Sequence, residues 1–157
     1  MTAVTKDYFA GPVAERYDDH LGEWGDPEVV GRAVDFLADL AGGGAALELG
    51  IGTGRIALPL AARGVPVHGI DLSPDMVAQL RAKPGGDAIP VTIGDFATTS
   101  LDGTFTLAYV VFNTIINLTT QVPRLHASRT SPTISCRAAA SSSSWASGAA
   151  RRCRSSI

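Results

Sequence analysis

The chain has 157 residues, 45% of them apolar and 18% charged, with a net charge of −2. That is room for one domain with a hydrophobic core, and it excludes a disordered chain and a generally basic nucleic-acid binder. The mean charge hides a break: up to Gln121 seven Lys and Arg stand against all fifteen acids (−8), and after it six Lys and Arg stand against none (+6).

The opening, MTAVTKDYFAGPVAERYDDH, lacks a basic stretch followed by an apolar one, so no secretory leader is expected. No run of about 18 apolar residues predicts a membrane span. Cys136 and Cys153 are the two cysteines, both beyond the charge break. A cytoplasmic setting is the resulting expectation. Asp26-Pro27-Glu28 then reads as a helix start: a capping carboxylate, proline at the first position, an acid in the first turn. Val30, Val34, Leu37 and Leu40 follow at helical spacing, and Gly42-Gly43-Gly44 closes the helix. AALELGI (45–51) is a nearly continuous apolar run, as in a strand buried on both faces. RIALPLAARG (55–64) reads as a helix in which Pro59 costs a hydrogen bond and introduces a kink. VPVHGIDLS (65–73) is a second strand, Ser73-Pro74-Asp75 caps a helix to Lys83, IPVTIGDF (89–96) is a third strand and FTLAYVVFN (105–113) a fourth. Such alternation predicts an α/β fold with a parallel sheet and helices on both of its faces.

ELGIGTGR (48–55) sits where the first strand turns into a helix. Glycines there let the backbone approach a ligand beyond the carboxyl ends of the strands. The dinucleotide spacing is G-x-G-x-x-G, whereas Gly50, Gly52 and Gly54 give G-x-G-x-G and Arg55 stands where a third dinucleotide glycine would be. Three acids lie at successive strand ends: Glu48, Asp71 about 20 residues past the glycines, and Asp95. Carboxylates in that position repel phosphates and suit ribose hydroxyls, an exocyclic amine and a cationic amino group. Each feature also has a plain reading, as a tight turn or a helix cap; their joint order and spacing favour a ligand site.

LELGIGTGR followed by GIDLSPDM and GDF resembles the class I S-adenosylmethionine-dependent methyltransferases of the small-molecule branch. The resemblance runs from about Tyr8 to Gln121. It implies a Rossmann-like fold with strand order 3-2-1-4, S-adenosyl-L-methionine as cofactor and a small-molecule acceptor, with no metal, nucleic acid or membrane. It also implies roles. Glu48 orients the loop and the methionine amino group; Gly50, Gly52 and Gly54 lie under the cofactor; Asp71 takes the ribose hydroxyls and Leu72 packs on adenine. Asp95 faces the adenine amine with Phe96 nearby, and Phe112 and Asn113 line the methionine and substrate side. AERYDD, with Tyr17, resembles the segment that lids the cofactor, and Tyr17 serves equally well as a packing residue. The fourth strand runs into FNTIINL rather than [DN]-P-P-[YF], which argues against nucleobase or glutamine amino groups as acceptors. No general base is evident: His20 reads as solvent-facing and His68 as a structural histidine in a strand.

The expected division is a helical lid segment at 1–44, a cofactor-binding core at 45–121 and a Ser/Arg-rich tail at 122–157. The tail has ten serines in 36 residues and no apolar periodicity. Codons for Thr133–Ser147 read from their third base can spell H-L-x-P-G-G-R-F-V-V-E-L-G-V, a helix end, glycine turn and strand that the family would place there. The expectation is therefore a one-base frame shift near Gln121, a sheet incomplete after its fourth strand, and a poorly ordered tail that leaves that strand as a bare apolar edge. Two other functional readings stay open on sequence: a non-catalytic fragment with a basic tail, and an NAD-dependent oxidoreductase.

Overall fold

The computed structural model describes residues 7–111 and the backbone of two further strands, Cys136–Ala138 and Ala149–Cys153. In chain order the elements are α1 (Pro12–Glu15), α2 (Pro27–Ala41), β1 (Ala46–Leu49), α3 (Ala57–Ala62), β2 (Val67–Asp71), α4 (Pro74–Arg81), β3 (Val91–Ile93), β4 (Leu107–Val110), β5 (Cys136–Ala138) and β6 (Ala149–Cys153). The fold is the expected α/β Rossmann-like one.

The helix boundaries follow from the caps. The Asp26 carboxylate accepts the Glu28 amide at 2.7 Å, Pro27 opens α2, and Gly42 closes it in the left-handed region at φ 59°. Removal of such an N-cap typically costs ~1 kcal/mol. Ser73 caps α4 in the same way, its hydroxyl accepting the Met76 amide at 3.4 Å. α3 begins at Ala57 rather than at Arg55, so Pro59 is its third residue. The flanking amides of Leu58 and Leu60 donate four residues back to the Gly54 and Ile56 carbonyls at 2.9 and 3.0 Å, so the proline interrupts that row of bonds, as expected.

The sheet order is β3-β2-β1-β4-β6-β5. The β3-β2-β1-β4 part is parallel, with Ala46 beside Val67 on one side and Leu107 on the other. β6 runs antiparallel to β4, Leu107 facing Arg152 and Val110 facing Ala149, and β5 pairs with β6. The expected bare edge at β4 is therefore covered. An apolar edge strand carries unpaired amides and carbonyls, and a strand from the same chain satisfies them. The rest of the 122–157 segment lies outside the described residues.

One face of the sheet carries the main core. Val34, Leu37 and Ala41 of α2, Ala57 and Leu60 of α3 and Leu80 of α4 pack on Ala46, Val67, Leu107 and Tyr109. Leu60, Leu80 and Leu107 are wholly buried, each stabilising the fold by about 1.5–3 kcal/mol. The opposite face carries a smaller cluster of Leu47, Ile70 and Phe105, flanked by Phe96, Leu101 and Ala108. No helix among the described residues contributes to it, and the expectation of helices on this face falls on residues outside those described. Handedness explains why α2, α3 and α4 share the first face. The crossovers from β1 to β2 to β3 step in one direction and stay on one face, while the return from β3 past β1 to β4 falls on the other. Here that return is the 94–106 connection. Strand order reverses between β1 and β4, and in such sheets the crevice for a ligand opens at that point, outside the carboxyl ends of the strands.

Candidate functional site

Because β1, β2 and β3 are adjacent and parallel, the three acids at their carboxyl ends share one edge of the sheet. Glu48 is the third residue of β1 and is 1% exposed. Tyr109 lies beside it in the β1–β4 register and donates its hydroxyl to Glu48 Oε2 at 3.0 Å. Burial pushes the Glu48 carboxyl up to about 8; the Tyr109 hydrogen bond and the Arg55 charge pull it down, and Asp71 adds to the rise. Tyr109 is itself raised well above its ordinary value, chiefly by burial and then by Glu48.

A raised carboxyl stabilises the fold only while it is protonated. For Glu48 that contribution is complete below about pH 4.5, its ordinary value, and is lost as pH rises through about 8. Glu48→Gln is accordingly expected to melt with the wild type near about pH 5 and above it near about pH 8.5, in differential scanning calorimetry without ligand.

Asp71 ends β2. Its Oδ2 accepts the Gly52 amide at 2.6 Å and its Oδ1 the Ser73 amide at 2.9 Å. Burial raises this carboxyl, opposed by the amides of Ser73, Gly52 and Leu72 and assisted by Asp7. The glycine loop thus hangs on Asp71. The same strand also holds the start of the loop, the Gly50 and Ile51 amides donating to the Ile70 carbonyl at 2.8 and 3.0 Å. Gly50, Gly52 and Gly54 all have positive φ, as a loop that tight requires. Gly54 has a second reason to be bare: a Cβ there would stand 2.2 Å from Leu80 Cδ1 and 3.2 Å from Leu58 Cγ. Its missing side chain makes room for α4, which the expectation of a purely ligand-facing loop did not include.

Asp95 follows β3, and Gly94 before it donates its amide to the Asp71 carbonyl at 2.8 Å. Asp95 Oδ1 accepts the Ala97 amide at 2.8 Å and the Asp95 carbonyl holds the Thr98 and Thr99 amides, so it also organises its own turn. Leu72 and Phe96 are half-buried, Phe96 against the second core cluster. Phe112 and Asn113 lie outside the described residues.

Tyr17 belongs to a strap, residues 7–25, that crosses this edge. Its ring meets Phe9 edge-on at 5.9 Å. Burial raises its hydroxyl pKa, Arg55 opposes that, and Asp18 and Asp71 add to it. Arg55 fills the space between: its guanidinium donates to the Trp24 carbonyl, and Tyr17, Glu48 and Asp18 offset the effect of burial on it. His20 is exposed, as expected, and bonds the Arg16 carbonyl at 2.7 Å, while His68, expected to be structural, meets Thr92 Oγ1 at 3.0 Å. Tyr109, Thr53, Asp18 and Lys83 also belong to this region. A guess at the β1–β4 register would have exposed Tyr109, whereas the sequence carries no signal for the others. Among the described residues no group of three or more His, Cys, Asp or Glu could hold a metal ion, and no helix is long and apolar enough to cross a membrane.

A family model described as a methyltransferase domain matches residues 46–129, more than half of the chain and all four parallel strands. The chain belongs to the methyltransferase domain family. No curated protein sequence matches it. Among solved structures, the CcbJ methyltransferase from Streptomyces caelestis is 39% identical over 64% of this chain and 42% of its own, with a TM-score of 0.57. The magnesium protoporphyrin IX methyltransferase ChlM from Synechocystis PCC 6803, solved with bound SAM, is 21% identical over 73% of this chain and 62% of its own, with a TM-score of 0.58. At that identity the second likeness concerns the fold alone. This methyltransferase domain chain spans less than two thirds of the length of either protein.

Proposed function

We propose that the chain carries the S-adenosyl-L-methionine site of an enzyme that transfers a methyl group to a small-molecule acceptor. The observation that carries this reading is the row of Glu48, Asp71 and Asp95 along one sheet edge around the glycine loop, in a chain of the methyltransferase domain family.

The donor set fits the cofactor. A carboxylate offers about four lone-pair sites. Asp71 gives one to Gly52 of the loop and one to Ser73 at the start of α4, and keeps acceptor capacity for vicinal ribose hydroxyls. Because Gly52 and Ser73 already fix its plane, it is aimed before a ligand arrives. Glu48 keeps a proton in its buried setting. A cationic amino group beside it favours the ionised form, so uptake of the cation is coupled to release of that proton. Tyr109 then remains as the hydrogen-bond donor to the carboxylate. Asp95 Oδ2 is the remaining acceptor for an exocyclic amine, with Leu72 and Phe96 as apolar flanks for a purine and Tyr17 as a roof. When bound, the cofactor supplies a methyl group that is already activated. The chain's part is placement and exclusion of water, and placement alone can lower a barrier by ~7–11 kcal/mol.

Calorimetric titration of the folded chain with S-adenosylhomocysteine, and with NAD in parallel, tests the reading. Binding of the first and silence with the second is the expected result. A folded chain that ignores S-adenosylhomocysteine, or prefers NAD, overturns it.

A further inference from the structure

We propose that Lys83 is a positioning residue for this site: from just beyond α4 it latches the strap onto the glycine loop. The consequence for ligand affinity rests on the cofactor reading above; the latch itself does not. Lys83 Nζ stands 2.5 Å from Asp18 Oδ2 and donates to the Thr53 carbonyl at 2.9 Å. The ring closes through Thr53, whose hydroxyl donates to Asp18 Oδ1 at 2.6 Å. One ammonium thus joins three parts of the chain that are far apart in sequence: the strap, the loop and the end of α4. Thr53 is 2% exposed and adjoins Gly52, whose amide Asp71 holds. A shift of Thr53 is therefore felt one peptide away at the carboxylate.

The remaining attachments of the strap are also largely polar. The Gly11 amide donates to Asp75 Oδ2 at 2.7 Å, and the Trp24 carbonyl accepts from Arg55. Ala14 and Leu21 are its buried apolar side chains. A segment held in this way opens locally without global unfolding. The Lys83 and Asp18 side chains are 31% and 42% exposed, so their ion pair contributes little to global stability. Its effect is on geometry: with the ammonium in place Asp18 has both oxygens engaged and the strap lies against the loop.

Limited trypsin digestion of the unliganded chain tests the latch at the bond after Arg16, an exposed residue inside the strap. Lys83→Met is expected to be cut there about tenfold faster than the wild type and to bind S-adenosylhomocysteine about threefold to tenfold more weakly, with its melting temperature nearly unchanged. Lys83→Arg, which keeps the cation, should restore slow cutting. Adding Asp18→Asn to Lys83→Met should accelerate cutting no further, because the ring is already broken. Unchanged cutting in Lys83→Met, or fully additive effects of the two substitutions, overturns the proposal. A wild-type chain that takes no S-adenosylhomocysteine but shows the predicted cutting pattern retains the latch and refutes the cofactor reading instead.

Discussion

Asp71→Ala is expected to weaken S-adenosylhomocysteine binding by about a hundredfold to a thousandfold while the chain stays folded. Two effects combine. The first is the loss of the acceptor for both ribose hydroxyls. Hydrogen bonds to a charged group are worth about 1.5–3 kcal/mol each, and about 1.4 kcal/mol is a tenfold change in affinity. The second is loss of the anchor for the loop and for the start of α4, since the Gly52 and Ser73 amides donate to this side chain. Asp71→Asn separates the two. An amide side chain has one oxygen, so it can hold one of those two backbone amides and presents an N–H to the other. It should fall between wild type and Asp71→Ala. Near-UV circular dichroism establishes that the variants are folded, and calorimetry gives the affinity. An Asp71→Ala chain that is folded and binds as tightly as wild type removes the ribose contact from the mechanism.

Gly54→Ala is expected to be the most destabilising single methyl in the loop, by about 2–5 kcal/mol. Gly54 has φ 78°, where any L-side chain costs roughly 1–2 kcal/mol. The new Cβ also meets Leu80 Cδ1 at 2.2 Å. Leu80 ends in a flexible group, but it is wholly buried among core side chains and has nowhere to turn. Overpacking of that kind costs about 1–3 kcal/mol. For a chain of this size each kcal/mol lowers the melting temperature by about 2–4 °C, so a fall of roughly 4–20 °C should appear in a thermal scan. Leu80→Val in the same chain shortens the side chain that clashes, and should recover part of the loss. A Gly54→Ala variant that melts within about 2 °C of wild type shows that α4 can move away.

The sequence contained the fold as far as local chemistry could write it. Asp26 and Ser73 announced two helices with proline at their first positions, and the continuous apolar runs at Ala45–Ile51 and Phe105–Asn113 announced buried parallel strands. What stayed hidden depends on pairing over distance. The Glu48–Tyr109 bond joins residues 61 apart and exists only because β1 and β4 are neighbours in a particular register. The one-sided placement of α2, α3 and α4 depends on the direction of successive crossovers, which a count of elements does not contain. The antiparallel cover over β4 comes from a segment whose composition gives no strand signal. Asp18 read as one acid in AERYDD; only the folded strap sets it beside Thr53 and Lys83. Glu48, Asp71 and Asp95 could be grouped from the sequence because each lies at or near the carboxyl end of its own strand, so adjacency of the strands was enough to gather them.

Gly52 and Thr53 are consecutive, one tied to Asp71 on the floor of the crevice and the other to Asp18 at its entrance. Floor and doorway therefore turn on a single peptide unit. A displacement of the strap at Asp18 is thus carried to Asp71 through the backbone alone.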